Sequence, residues 1–430
     1  MGEGAGREFG RWWSVYPKVQ RAFGFLLLTD CHDMERKVDY MARALELARR
    51  ALGRTSPNPA VGAVIVKDGR IVGEGFTQPA GSWHAEVMAI RQAGESARGA
   101  TLYVTLEPCC HYGRTPPCTL AIQEAGLAEV HVATLDPNPL VAGQGARSLS
   151  AAGIRVTLGE RESEARRLNE AFFTYIQRRT PFVAAKWAMS LDGKIATRSG
   201  ASRWISGPQA RALVHRLRDT VDAVAVGVQT VIADDPLLTR RLAEPEGGRP
   251  PRARPLLRII FDSAGRTPPT ARVLAPTADA ETLVITTEAC PQPVAGRLEA
   301  AGANVLVCPA REGRVDLAAA LALLGRREIV SLLVEGGGTL LSSLFAQRLV
   351  DKVYAFIAPL IVGGSDALSP VEGRGAETLA DALPLKDVTY EPIGPDLLIT
   401  GYALITGHAP VDVIARTTMP SVQSPAHGRG

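Results

Sequence analysis

The chain has 430 residues, a length that favours two or three domains over one. Apolar residues make up 46% of it, enough for each part to bury a core. Lysine and arginine exceed aspartate and glutamate by only 48 − 44 = 4, with no dense basic block; this argues against a nucleic-acid partner and leaves room for a phosphorylated small molecule.

In chain order, residues 1–33 mix charge, aromatics and glycine, and read either as an extension or as a misassigned start. The apolar run Ala22–Leu28 is too short to span a bilayer, and no small-residue cleavage site clearly follows it, so neither a membrane nor a secretory signal is expected. An amphipathic helix starts at Met34 and runs to Leu52, with Val38, Met41, Leu45 and Ala48 on one face. The apolar runs Val61–Val66 and Ile71–Gly75 flank Lys-Asp-Gly-Arg, a hairpin signal. Helix His84–Ala93, strand Thr101–Leu106, helix Cys118–Ala125, strands Val130–Thr134 and Ile154–Leu158, and a charged helix Glu162–Arg178 follow. This alternation predicts a three-layer α/β/α sandwich over residues 34–179.

Thr180-Pro181 ends that series and a second begins over residues 180–407. Its strands are predicted at Val183–Ala188, Ala223–Val228, Leu257–Phe261, Leu283–Thr286, Val305–Val307, Ser331–Val334, Val353–Ile357 and Leu397–Tyr402. Its helices are predicted at Gly207–Arg218, Leu317–Leu324 and Leu340–Leu349. Glu244–Pro255, rich in Pro, Arg and Gly, reads as an exposed loop. No repeat relates the halves, and residues 408–430 read as a loose tail.

Of six cysteines, Cys31, Cys290 and Cys308 fit ordinary buried thiols, whereas Cys109, Cys110 and Cys118 crowd into one segment. That is no disulfide framework; it reads as metal chemistry in a reducing, cytoplasmic setting. His84 and Glu86 in GSWHAEVMAI precede Cys109 and Cys118 in TLEPCCHYGRTPPC. Imidazole and thiolate suit zinc, and three protein ligands leave its fourth position for water. Glu86, two residues from His84, can then move protons without binding the metal. A structural zinc would need a fourth ligand, which His111 or Cys110 could supply, but would leave Glu86 without a role. The H-x-E … P-C … C order is that of zinc deaminases acting on nucleobases.

Here the interval between the two cysteines is long, and the block TLEPCCHYGRTPPC resembles the pyrimidine deaminases of riboflavin biosynthesis. In the second half, AMSLDGKIA, WISGP, RLRDTVDAVAVG, DDPLLT and VEGGG resemble the reductase fused to that deaminase. The likeness spans residues 35–405 and identifies the chain as a member of the bifunctional deaminase/reductase family. It implies a cytidine-deaminase-like sandwich followed by a dihydrofolate-reductase-like domain, one zinc per chain, NADPH, a phosphorylated pyrimidine substrate and a homo-oligomer.

Carried over by resemblance, Asn58, His111 and Arg114 fall where the family holds the deaminase substrate. Ala188, Trp204, Thr230, Asp234 and the turn Gly337, Gly338, Thr339, Leu340, Leu341, Ser342 and Ser343 fall where it binds NADPH. Ser202, Arg218, Leu237, Arg241 and Glu335 fall where it holds the ribosylaminopyrimidine phosphate, and Lys186 and Asp192 are candidates to orient the open-chain sugar. Read on their own, Asn58 also fits a turn between prolines, the glycines a tight turn, and each arginine a solvated face; Arg240 could replace Arg241 by a slip of one. Thr77 stands where the family pattern has His, a departure near the deaminase substrate. The rivals are a nucleobase or tRNA-type zinc deaminase with an accessory domain, which wants a basic, aromatic-lined channel, and a non-catalytic protein with a structural zinc.

Overall fold

The computed structural model describes residues 39–241, 249–250 and 252–404. The proposed start at Met34, the 1–33 extension with Cys31, Val38, much of the Glu244–Pro255 loop and the 408–430 tail lie outside the described residues.

The first sheet has the order β2-β1-β3-β4-β5, from β1 (Gly62–Lys67), β2 (Arg70–Phe76), β3 (Thr101–Val104), β4 (Glu129–Val132) and β5 (Arg155–Leu158). β1 runs antiparallel to β2 and β3, and the rest are parallel. Lys67 pairs with Arg70, so Asp68 and Gly69 alone make the turn, both at positive φ as a two-residue hairpin demands. Strand period two sends Ala63 and Ile65 to one face and Val64 and Val66 to the other. α1 (Tyr40–Ala51) and α5 (Glu162–Leu168) cover the Val64 face; α2 (Ala85–Ala93), α3 (Cys118–Glu124), α4 (Gln144–Ala151) and α6 (Glu170–Arg178) cover the other. The predicted three layers are present.

The single helix expected over Glu162–Arg178 is two, broken at Asn169. The buried Asn169 amide accepts from Ala60 N at 2.8 Å and donates to Ala60 O at 2.9 Å, so a local break fixes the backbone beside Asn58. Gly75 has a related role. A Cβ there would lie 2.2 Å from Ala85 O, so only glycine lets the start of α2 seat against β2.

The second sheet contains β6 (Phe182–Ser190), β7 (Ala223–Gly227), β8 (Leu256–Phe261), β9 (Ala280–Thr286) and β10 (Ala303–Val307). After the small hairpin β11 (Ala310–Arg311) and β12 (Arg314–Val315) come β13 (Ser331–Glu335), β14 (Lys352–Ala358), β15 (Leu385–Ile393) and β16 (Asp396–Ala403). The nine-strand order is β10-β9-β8-β7-β13-β6-β14-β16-β15. It is parallel as far as β14 and closes with antiparallel β16 and β15. Its helices are α7 (Pro208–Thr220), α8 (Val228–Asp234), α9 (Gln292–Ala300), α10 (Leu317–Arg326) and α11 (Gly338–Ala346). Val228, expected to end a strand, instead begins α8.

α6 ends at Arg178 and β6 begins at Phe182, and α6 is tied to the second sheet: Lys352 donates to Glu170 at 2.7 Å, and Arg178 pairs with Asp351. Arg54, after α1, reaches Asp219 on α7 at 2.7 Å, both side chains being almost fully buried.

Candidate active sites

His84 caps α2 in extended conformation and Cys118 opens α3, so two helix N-termini and the loop after β3 meet in one place. The His84 Nδ1 lies 3.2 Å from Cys118 Sγ and 3.6 Å from Cys109 Sγ, and the three ligand atoms fall within 4.8 Å of one another. Bond lengths typical of tetrahedral zinc would set N and S about 3.6 Å apart, so this donor set fits that ion. Cys109 Sγ accepts from Cys118 N at 3.3 Å. The thiol of Cys118 and His84 lower Cys109 against its burial, while Cys118 itself is raised by that hydrogen bond and by burial. A bound cation would favour the thiolate form of both cysteines. Cys110 instead directs its thiol toward Leu140 O at 3.8 Å.

Glu86, 4% exposed, lies beside the cluster, and burial pushes its carboxyl up to about 7 although His84 pulls it down. A carboxyl balanced near neutrality can both take and return a proton. The cavity in front of it, about 330 Å³, is lined also by Asn58 and, from the loop between the two cysteines, His111 and Arg114. His111 Nδ1 is buried without a partner. Arg114 is half-exposed and lies 3.7 Å from Glu328 of the second half. Thr77 lines the same cavity, but its hydroxyl is taken up by the Val61 backbone, accepting from Val61 N at 3.1 Å.

Glu107 was missed in the sequence. Its buried carboxylate accepts from Asp136 N, Gly143 N and Ala146 N at 3.2, 2.8 and 3.0 Å, pinning the loop behind Cys109. A lone acid ending the apolar strand Thr101–Leu106 was the available signal. Asp136, also in the cavity wall, is raised to about 7 by burial.

In the second half, a cavity of about 1750 Å³ opens at the carboxyl ends of β6, β7 and β13. It is lined by Ala188, Trp204, Thr230 and Asp234, and by the Gly337–Ser343 turn except Ser342, whose hydroxyl packs against Gly373. Gly336 and Gly337 have φ of 90° and 86°, a conformation glycine alone adopts without strain, and lead into α11. Backbone N–H groups at such a turn suit a phosphate. Trp204 is exposed, with the Arg211 guanidinium 4.5 Å from its ring. Ser202 and Asp234, expected to serve different ligands, bond to each other at 2.9 Å.

Ser202, Arg218, Leu237, Arg241 and Glu335 line this cavity as well. Glu335 lies at the end of β13 as a buried acid whose two oxygens accept from Arg218 Nε and, at 2.9 Å, Arg218 Nη2. Burial would raise its carboxyl, but the Arg218 guanidinium outweighs burial and holds it low. Lys186 Nζ is 3.9 Å from Glu335, and burial lowers its ammonium. Asp192 is not in the cavity wall; it accepts from Val362 N and Gly363 N at 3.0 and 2.7 Å, fastening the neighbouring loop. Arg240 turns to Asp219 at 3.0 Å, and Arg241 is the arginine of that pair at the cavity.

By sequence, residues 34–134 match the cytidine and deoxycytidylate deaminase zinc-binding region, and residues 181–399 match the RibD C-terminal domain. The riboflavin biosynthesis protein RibD of Actinobacillus pleuropneumoniae is 45% identical over 84% of this chain and 94% of its own length. Among solved structures, Acinetobacter baumannii RibD aligns with a TM-score of 0.75 at 40% identity, covering 85% of this chain and 98% of that one. A diaminohydroxyphosphoribosylaminopyrimidine deaminase/5-amino-6-(5-phosphoribosylamino)uracil reductase of Thermotoga maritima aligns at 0.72 and 38% identity, covering 85% and 97%.

Proposed function

Because this chain belongs to the RibD family of bifunctional deaminase/reductases of riboflavin biosynthesis, we propose how its own residues divide the two reactions between residues 34–179 and 180–407. The carrying observation is the convergence of His84, Cys109 and Cys118 beside a buried Glu86 at the floor of a small cavity. The three ligands would hold zinc, which when bound would lower the pKa of its water toward about 7. Glu86 takes a proton from the attacking water as the water's oxygen adds to C2 of 2,5-diamino-6-ribosylamino-4(3H)-pyrimidinone 5′-phosphate. It then returns protons to the ring and the departing 2-amino group, so water and substrate give the uracil and ammonia. Asn58 and His111 face the base, and Arg114 at the open rim takes the phosphate.

The second cavity receives the deaminated product. NADPH, when bound along the Gly337–Ser343 turn, supplies the hydride that reduces the ribosyl C1′. Arg218, held in place by Glu335, and Arg241 take the phosphate, while Lys186 stands near the sugar end. The ring oxygen gains a proton as the ribityl chain opens. Thiolate ligands call for a reducing compartment, which supports a cytoplasmic enzyme, and we place it there as a homo-oligomer.

Glu86→Gln tests the reading. Ammonia release should fall by about 10²–10⁴, with zinc still near one per chain and NADPH-dependent reduction of the deaminated compound intact. Unchanged ammonia release would refute the assignment of Glu86.

A further inference from the structure

On α7, Arg211, Val214, His215 and Arg218 recur at helical spacing and all line the larger cavity. Arg218 keeps only two of its five N–H groups for a ligand. Of its five N–H groups, Nε and Nη2 donate to Glu335, and Nη1 donates to Thr239 O at 2.8 Å. A phosphate monoester presents three acceptor oxygens and close to two negative charges. Arg218 and Arg241 therefore leave acceptor positions open, and Glu335 already cancels one positive charge nearby.

His215, one helical turn before Arg218, has a buried Nδ1 with no hydrogen-bond partner. That nitrogen is sealed from solvent, which leaves the rest of the ring on the cavity wall. The charged groups acting on it are Arg218 of its own helix, Arg241 of the following loop and Glu335 of β13. Burial lowers its imidazolium first, and the two guanidiniums lower it further, against a hydrogen bond to the Thr239 backbone and the charge of Glu335. An arriving phosphate dianion would reverse that balance.

Resting on the reductase reading above, we propose that His215, on the cavity wall with Arg218 and Arg241, is a further contact to the substrate's phosphate, its ring N–H donating to an oxygen that the two arginines leave unfilled. His215 thus helps the site choose the phosphorylated compound over its phosphate-free riboside. It has no part in hydride transfer, so the effect belongs in KM.

The test uses the full chain with NADPH, 5-amino-6-(5-phosphoribosylamino)uracil and the corresponding riboside. His215→Ala should raise KM for the phosphorylated substrate on the order of 10-fold, as expected for a hydrogen bond to a charged group, with kcat and the riboside KM unchanged. His215→Gln, which keeps polarity and bulk, guards against a folding defect. Between pH about 5.5 and 7.5, wild-type KM should improve toward acid more than that of His215→Gln, since protonation strengthens the contact. The difference between the two proteins cancels the phosphate's own titration. Equal losses on both substrates, or none, would overturn the role of His215. Arg218→Lys separates the two readings: if it removes the preference for phosphate and His215→Ala does not, only the histidine assignment fails. If neither variant changes the preference, the phosphate subsite itself is wrong.

Discussion

The metal cluster draws every ligand from the segment His84–Cys118, whereas the larger cavity collects its wall from Lys186 to Glu372. The first needs particular side chains, since zinc is held only by donor atoms of a few residue types within bonding distance of one point. The second works largely through shape, backbone and charge: a glycine turn, a helix start, and arginines oriented by one buried acid. Loss of a ligand should therefore disable the first site outright, and loss of one wall residue should only detune the second. Cys109→Ala is the severest form of this contrast. Ammonia release should vanish and zinc content fall well below one per chain, while NADPH oxidation with the ready-made deaminated substrate continues at the wild-type rate. A matching fall in NADPH oxidation would break the comparison.

The same contrast decides what the sequence reveals. His84, Glu86, Cys109 and Cys118 were legible because their chemistry needs those residue types, and the α/β alternation was legible because most of its strands are apolar runs. α4 was not: QGARSLSA is short, and only Gly145, Ala146 and Leu149 of it are buried. β15 was missed because it is a sheet edge with no fully buried residue. Glu107 and His215 act through neighbours that only the fold supplies, three backbone N–H groups in one case and the guanidiniums of Arg218 and Arg241 in the other. The resemblance placed Glu335 against the substrate; the structure has it gripping Arg218, a relation across β13 and α7 that spacing could not give.

Between the two sites lies Asp219, next to Arg218 on α7. It is gripped by Arg54 from the first half and by Arg240 and Arg249 at 3.0 and 2.9 Å. Breaking a buried pair typically costs about 3–5 kcal/mol; with two arginines left, Arg54→Ala should cost about 2–3 kcal/mol, read as a lower melting temperature. Burial raises the Asp219 carboxyl, but hydrogen bonds from Arg54 and Arg240 outweigh it and leave it below the usual range. A depressed carboxyl stabilises the fold above its unfolded pKa of about 3.9, and that contribution is lost as pH falls through the folded value. The gap between wild type and Arg54→Ala should therefore be full near neutrality and shrink below pH about 4. If both kcat values hold at low temperature, the clamp joins two independent sites. If they fall together, the sites are less separate than their construction suggests.

The smallest effect belongs to the glycine turn, where the proposed cofactor contact is through backbone rather than side chain. A Cβ on Gly338 would come 2.6 Å from Glu372, a partly exposed side chain that can swing away at the cost of its 2.8 Å bond from Thr339. A Cβ on Gly337 meets no such crowding, only Thr230 Oγ1 at 3.3 Å, but it forces a side chain onto φ of 86°. Strain of that kind runs to about 1–2 kcal/mol per residue and distorts the N–H groups themselves. Gly337→Ala should consequently raise KM for NADPH more than Gly338→Ala does, both by modest factors and neither touching deamination. The reverse order would mean that the cofactor is gripped by the Glu372 loop and not by the turn, and the larger cavity would then depend on particular side chains much as the metal cluster does.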